Sequence, residues 1–195
     1  GGIEQSKTVT AKSSNTPRKL VYGETRLGGT YAFFEATNND RFLHLVIVLS
    51  AHELESFTKI YFNDEALTLT GNDVTSPAKY DDLVIIHPVT VGNTSNIPAP
   101  LLATASWTSS HKLTDQGYIY ARLKFDPDAF EQGLPNISAK VKGRKIYDPR
   151  TSTTAWSDNP ALVIRDYLTD AVYGLGATAA EIDDASFIAA ANICE

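Results

Sequence analysis

Residues 42–49 carry the strongest strand pattern in the chain. Leu43, Leu45, Ile47 and Leu49 line one face, Phe42, Val46 and Val48 dominate the other, and only His44 is polar. Apolar side chains on both faces predict a central strand covered on both sides. Residues 118–125 alternate instead. Ile119, Ala121, Leu123 and Phe125 face one way; Tyr118, Tyr120, Arg122 and Lys124 face the other. Further extended runs cover residues 18–22, 30–36, 57–62, 66–69 and 83–91, the last interrupted by Pro88, which favours an edge or a bulge. Turns are predicted at Gly28-Gly29, Asn38-Asn39-Asp40 and Asn63-Asp64. Ile137, Ala139 and Val141 continue the alternation, but the next apolar residue is Ile146. Gly143 sits at the change of phase and predicts a bulge or tight turn.

After Asp148-Pro149 the period becomes helical. Asn159-Pro160 supplies an N-cap and a proline at the first helical position. Ala161, Ile164, Leu168, Ala171 and Val172 form the expected buried stripe, closed by Gly174 and Gly176. Thr178 and Glu181 match a capping box, and a last helix carries Phe187, Ile188 and Ala191. The expectation is a mainly β (α+β) chain in three parts: a polar arm at 1–17, a β-barrel- or sandwich-like body at 18–150, and a two-helix element at 151–195 that continues past Glu195. The polar segment 92–116, broken by Pro98 and Pro100, reads as a long loop anchored by Trp107.

Composition narrows the function. The chain has 195 residues, 43% of them hydrophobic, enough for a sizeable core. A net charge of −6 argues against binding nucleic acid through phosphates. The single cysteine, Cys194, excludes an internal disulfide and a thiolate zinc site, and no apolar run is long enough to span a membrane. There is no methionine, so an internal piece of a longer polypeptide is expected.

Catalytic motifs are absent from the sequence: no nucleophile elbow, no zinc-protease helix and no phosphate-binding loop. His44 reads as a core histidine satisfied by a neighbour, His52-Glu53 as solvated strand-end residues, and His87 and His111 as unpaired. Asp126-Pro127-Asp128 reads as an Asx turn, Asp183-Asp184 as charge at a helix start, and Cys194 as a small buried residue. Catalytic, cofactor-binding and metal residues are therefore expected to be none, with no cofactor and no enzymatic activity. The Tyr118/Tyr120 face beside Arg122 and Lys124 is either a sugar platform or protein interface, or a solvated outer face.

Several blocks in fixed order carry a family resemblance. They are Val21-Tyr22-Gly23-Glu24-Thr25-Arg26-Leu27-Gly28-Gly29, Phe42-Leu43-His44-Leu45-Val46-Ile47, Ile60-Tyr61-Phe62-Asn63-Asp64-Glu65 and Leu134-Pro135-Asn136-Ile137-Ser138-Ala139-Lys140-Val141-Lys142-Gly143-Arg144-Lys145-Ile146-Tyr147-Asp148-Pro149-Arg150. Ala155-Trp156-Ser157-Asp158-Asn159-Pro160-Ala161 and Asp166-Tyr167-Leu168-Thr169 follow. The set resembles the central region of the phage tail tip attachment family, which includes the host-specificity protein J of phage lambda. The resemblance implies a structural hub in the virion tail tip, made in the bacterial host cytoplasm. It also implies trimers with barrel-like domains in a ring, joined to the tail tube and other tail-tip proteins. No catalytic residue carries over. A carbohydrate- or receptor-binding module of the tail tip is the alternative, and a cell-wall hydrolase a weaker one.

Overall fold

The computed structural model describes residues 17–195, so the expected arm lies outside the described residues except for Pro17. The chain is mostly β. Nine strands form one curled antiparallel sheet: β1 (Glu24–Gly28), β2 (Thr30–Thr37), β3 (Phe42–Val48), β4 (Ser56–Phe62), β5 (Glu65–Thr70), β6 (Asp73–Ser76), β7 (Val84–Val89), β8 (Tyr118–Lys124) and β9 (Ile137–Lys142). Their order is β1-β9-β4-β5-β6-β7-β8-β3-β2. The two strands at its ends are therefore consecutive in sequence, separated by Gly29 alone. One extended segment pairs with β9 through its first half (Gly28 opposite Ser138) and with β3 through its second (Thr30 opposite Val48). This is what curls the sheet toward a barrel.

Gly29 makes that crossing sterically possible. A Cβ there would lie 2.4 Å from the Val48 carbonyl oxygen and 2.5 Å from Ile47 Cγ2. The expected turn at Gly28-Gly29 is thus a strand-to-strand crossing, and the glycine is required by close approach rather than by a reversal of the chain.

The concave side holds the main core. Leu45 and Ile47 of β3, Ile60 and Phe62 of β4, Ile86 of β7, Ile119 and Ala121 of β8, and Ala139 and Val141 of β9 are buried in one cluster. The alternation seen in the sequence is what delivers one residue in two to this side. Tyr80 caps the cluster, edge-on to Phe62 at 5.2 Å and stacked on Phe130 at 5.6 Å. Phe130 is presented by a turn in which the Asp126 side chain accepts the N–H groups of Asp128 and Ala129. Phe125, assigned by alternation to the inner set, lies just past the end of β8 and is exposed.

Several local expectations differ from the structure. Residues 18–22 form no ladder strand; they run extended, with the Ala51 N–H bonding Lys19 and the Arg144 N–H bonding Val21. β1 and β6 were not expected as strands. The phase change at Gly143 is neither bulge nor hairpin turn. It is where the chain leaves the large sheet, and the position needs glycine because a Cβ at Gly143 would lie 2.1 Å from the Val21 carbonyl oxygen. β10 (Lys145–Asp148) then pairs only with β11 (Thr153–Trp156) in a separate hairpin, and residue 150 lies in its turn.

The hairpin packs on α2 (Pro160–Thr169) and α3 (Asp184–Ile193); the four-residue α1 (Ala99–Leu102) belongs elsewhere. Asn159 caps α2 by accepting from the N–H groups of Ala161 and Leu162 and donates to the Ala191 carbonyl at 2.8 Å, fixing α3. Ile146, Ala161, Leu162 and Ala191 form this small core. The expected stripe is rotated: Leu162 is buried, while Ile164 is 55% exposed and Val172, beyond the helix end, 78%. The Thr178–Glu181 capping box is present.

Replacing Gly29 by Ala is expected to cost about 1–3 kcal/mol, because the crossing must open to admit a methyl group. Gly28→Ala meets nothing nearer than 3.8 Å and is expected to stay within about 0.5 kcal/mol of the parent. Urea denaturation of both variants checks this, and equal midpoints would refute the crossing as a steric constraint.

Candidate functional site

The Tyr118/Tyr120 face is not a platform. Tyr118 is 1% exposed and Tyr120 fully buried. Residues 92–116 fold over the convex side of β3, β7 and β8 and bury both rings in a second core with Val46, Val89, Ile97, Leu101 and Trp107. The two readings of this face, platform or solvated surface, both give way to a third: an interior wall. The loop is held by its own turn bonds, by Trp107 edge-on to Phe33 at 5.1 Å, and by Glu35. The Glu35 carboxylate accepts the N–H groups of Ala105 at 2.8 Å and Ser106 at 3.0 Å, and hydrogen bonding with Ser106 heads the causes that lower its pKa. Trp107 Nε1–H is buried without a partner among the described residues, which costs about 1–3 kcal/mol against a paired donor.

The histidines are spread through this framework. His44 is buried and shares hydrogen bonds with Thr37 Oγ1 at 2.9 Å and the Tyr120 hydroxyl at 2.8 Å. His52, read from sequence as solvated, is buried. Its Nε2 accepts the Val21 N–H at 2.9 Å and its Nδ1–H donates to the Glu53 carbonyl, which fixes the neutral tautomer. His87 packs on Tyr120 at 5.6 Å, and His111 packs on Trp107 at 5.2 Å while its Nδ1 accepts the Thr108 N–H. Burial is the largest influence on His44, His52 and His87 and pushes all three pKa values down. Burial likewise raises Tyr118 to about 12.

The remaining sequence candidates are scattered. Asp183 caps α3 through the Ala185 N–H, and Asp184 pairs with Arg165 at 2.7 Å. Cys194 is exposed, not buried. Among the described residues no three His, Cys, Asp or Glu side chains gather as a metal site, and no helix is long and apolar enough to cross a membrane.

A joint between the large sheet and the helical element was not foreseen. Tyr22 donates to Asp166 Oδ2 at 2.6 Å, and Arg144 lies 3.4 Å from the same carboxylate while bonding Asp170 directly. Burial alone would raise the Asp170 pKa. The Tyr173 N–H, the Arg144 guanidinium and the Val172 N–H outweigh it and hold the group at about 2. Lys142 lies 4.3 Å above the Trp156 ring beside the joint. The partners stand 144 residues apart for Tyr22 and Asp166, so no local spacing announces them.

No family model matches the chain, and no curated protein does. Among solved structures it is similar to one chain of "Virion of native gene transfer agent (GTA) particle", at 13% identity and a TM-score of 0.41. The match covers 69% of this chain, which spans 31% of that one.

Truncating Trp107 to Ala is expected to cost about 3–5 kcal/mol and to expose the Tyr118/Tyr120 wall, as large aromatic truncations in cores do. A loss under about 0.5 kcal/mol in denaturation would show that the 92–116 cover is not part of the core. Acid should act through the histidines. Their pKa values lie below the unfolded value of about 6.5, so their stabilising contribution is complete above that pH and erodes as pH falls toward the folded values. The thermal midpoint is expected to be level above about pH 7 and to fall between about pH 6.5 and 5. A flat profile across that interval would contradict neutral, buried imidazoles.

Proposed function

We propose that this chain is a non-catalytic structural component of a phage-like virion, acting as a central hub module of the tail tip. In this reading the chain self-associates as a trimer within the full-length protein. It docks tail-tube and other tail-tip proteins on the surfaces its own cores leave open. The family resemblance supports the assignment to a tail tip.

The observation that carries the structural role is the apolar surface of the C-terminal element. Ile164 and Tyr167 are exposed one turn apart on α2, followed by Val172 and Leu175, with Ile193 exposed on α3. Single exposed apolar residues are ordinary, but a concentration on one small element fits burial against neighbours. Asn159 ties α2 to α3, and the bonds from Tyr22 and Arg144, which flank the large sheet, to Asp166 and Asp170 hold that element against it. A fixed orientation suits a part that must present the same face to every neighbour.

Gold-labelled antibody against this chain is expected to mark the distal end of the tail on intact particles. Labelling confined to the capsid, or found only in unassembled protein, would refute the proposal. The Ile164→Glu/Val172→Glu variant should fold with stability within about 0.5 kcal/mol of the parent, since both sites are exposed, yet fail to enter particles. Normal incorporation of that variant would remove this surface from the assembly.

A further inference from the structure

Gln116 is only 8% exposed, and its carboxamide makes no hydrogen bond among the described residues. Its polar atoms are open to solvent, since the one sealed side-chain polar atom without a partner among the described residues is Trp107 Nε1. The surface that Gln116 keeps opens into a depression of about 330 Å³ walled by residues 17–19, 30–32 and 48–50 and by Leu113.

Two properties of these walls define an occupant. The first is charge. Arg18 and Lys19 line the depression and no carboxylate does, in a chain whose net charge is −6. Lys19 Nζ donates to the Gly28 carbonyl at 2.6 Å, while Arg18 is exposed and forms no ion pair among the described residues. The second is backbone. β2 is the last strand of the sheet, so one of its edges has no ladder partner among the described residues. Ala32 sits in the register shift between Tyr31 and Phe33 and has no cross-strand partner either.

We propose that this depression docks an extended peptide segment of another protein that carries an acidic side chain. The carboxylate meets Arg18, the carboxamide of Gln116 pairs with a peptide group through its donor and acceptor ends, and the peptide runs along the start of β2. A peptide fits better than a free anion because an amide side chain and an open strand edge both match the alternating donors and acceptors of a backbone. These residues define the site whether or not the C-terminal element joins virion neighbours.

The test is a titration of the ¹⁵N-labelled full chain with the capped pentapeptide Val-Glu-Val-Glu-Val, read by NMR. Saturable shifts are expected at the Gln116 side-chain amide and at the backbone N–H groups of residues 30–32. Affinity should fall about tenfold for the Val-Gln-Val-Gln-Val peptide, and about tenfold for Arg18→Ser or Gln116→Leu against the acidic peptide. If Gln116→Leu loses its folded spectrum, Arg18→Ser on the exposed rim carries the comparison. Equal affinity for both peptides, no shift at these groups, or saturation by sodium acetate or chitotriose alone would overturn the proposal. Binding seen only after removal of residues 1–16 would make this chain's own N-terminal stretch the occupant, and would overturn it as well.

Discussion

The curl of the large sheet rests on the close passage at Gly29. Because the residue has no side chain, the segment from Glu24 to Thr37 can pass within van der Waals range of Ile47 and Val48 while serving two different neighbours. Without that close passage the strands beside β9 and β3 would be two unrelated edges. With it, the sheet curls around a single apolar interior to which its strands contribute side chains. A large antiparallel sheet gains stability by surrounding its own core, and the crossing is the device that makes surrounding possible.

The convex side is used as fully as the concave one. β3 and β8 are covered twice, by the interior on one side and by residues 92–116 on the other. That is why the tyrosines of β8 have lost their phenol surfaces to packing and why His44 has become a link between Thr37 and Tyr120. Glu35 ties strand to cover in the same way, accepting the N–H groups of Ala105 and Ser106.

How much of this could be read in advance depended on the range of the interaction. The two-sided run at residues 42–49, the turns at Asn38 and Asn63, the Asn159 cap and the Thr178–Glu181 box are local, and each lies where its pattern points. The alternation of Tyr118 to Lys124 was also correct as periodicity. What it could not reveal is that a loop without apolar periodicity, held by Ile97, Leu101 and Trp107, would cover that face. Of the helical stripe Ala161 is buried as expected, but Leu162 rather than Ile164 joins it against the hairpin, and the hairpin itself is hidden behind Gly143. The Tyr22–Asp166–Arg144–Asp170 joint and the setting of Gln116 depend on contacts remote in sequence, for which no spacing rule exists.

The circuit of strands is not equally strong all the way round. Seven register pairs tie β3 to β8 and six tie β7 to β8, whereas β6 and β7 share the single pair Asp73 and Ile85, helped by one bond from Ile86 to Asn72. This junction is a built-in tear line. Solvent deuterium would reach the amides there before those of the central strands, and a pull across the sheet would part it at that line while the double-covered strands held.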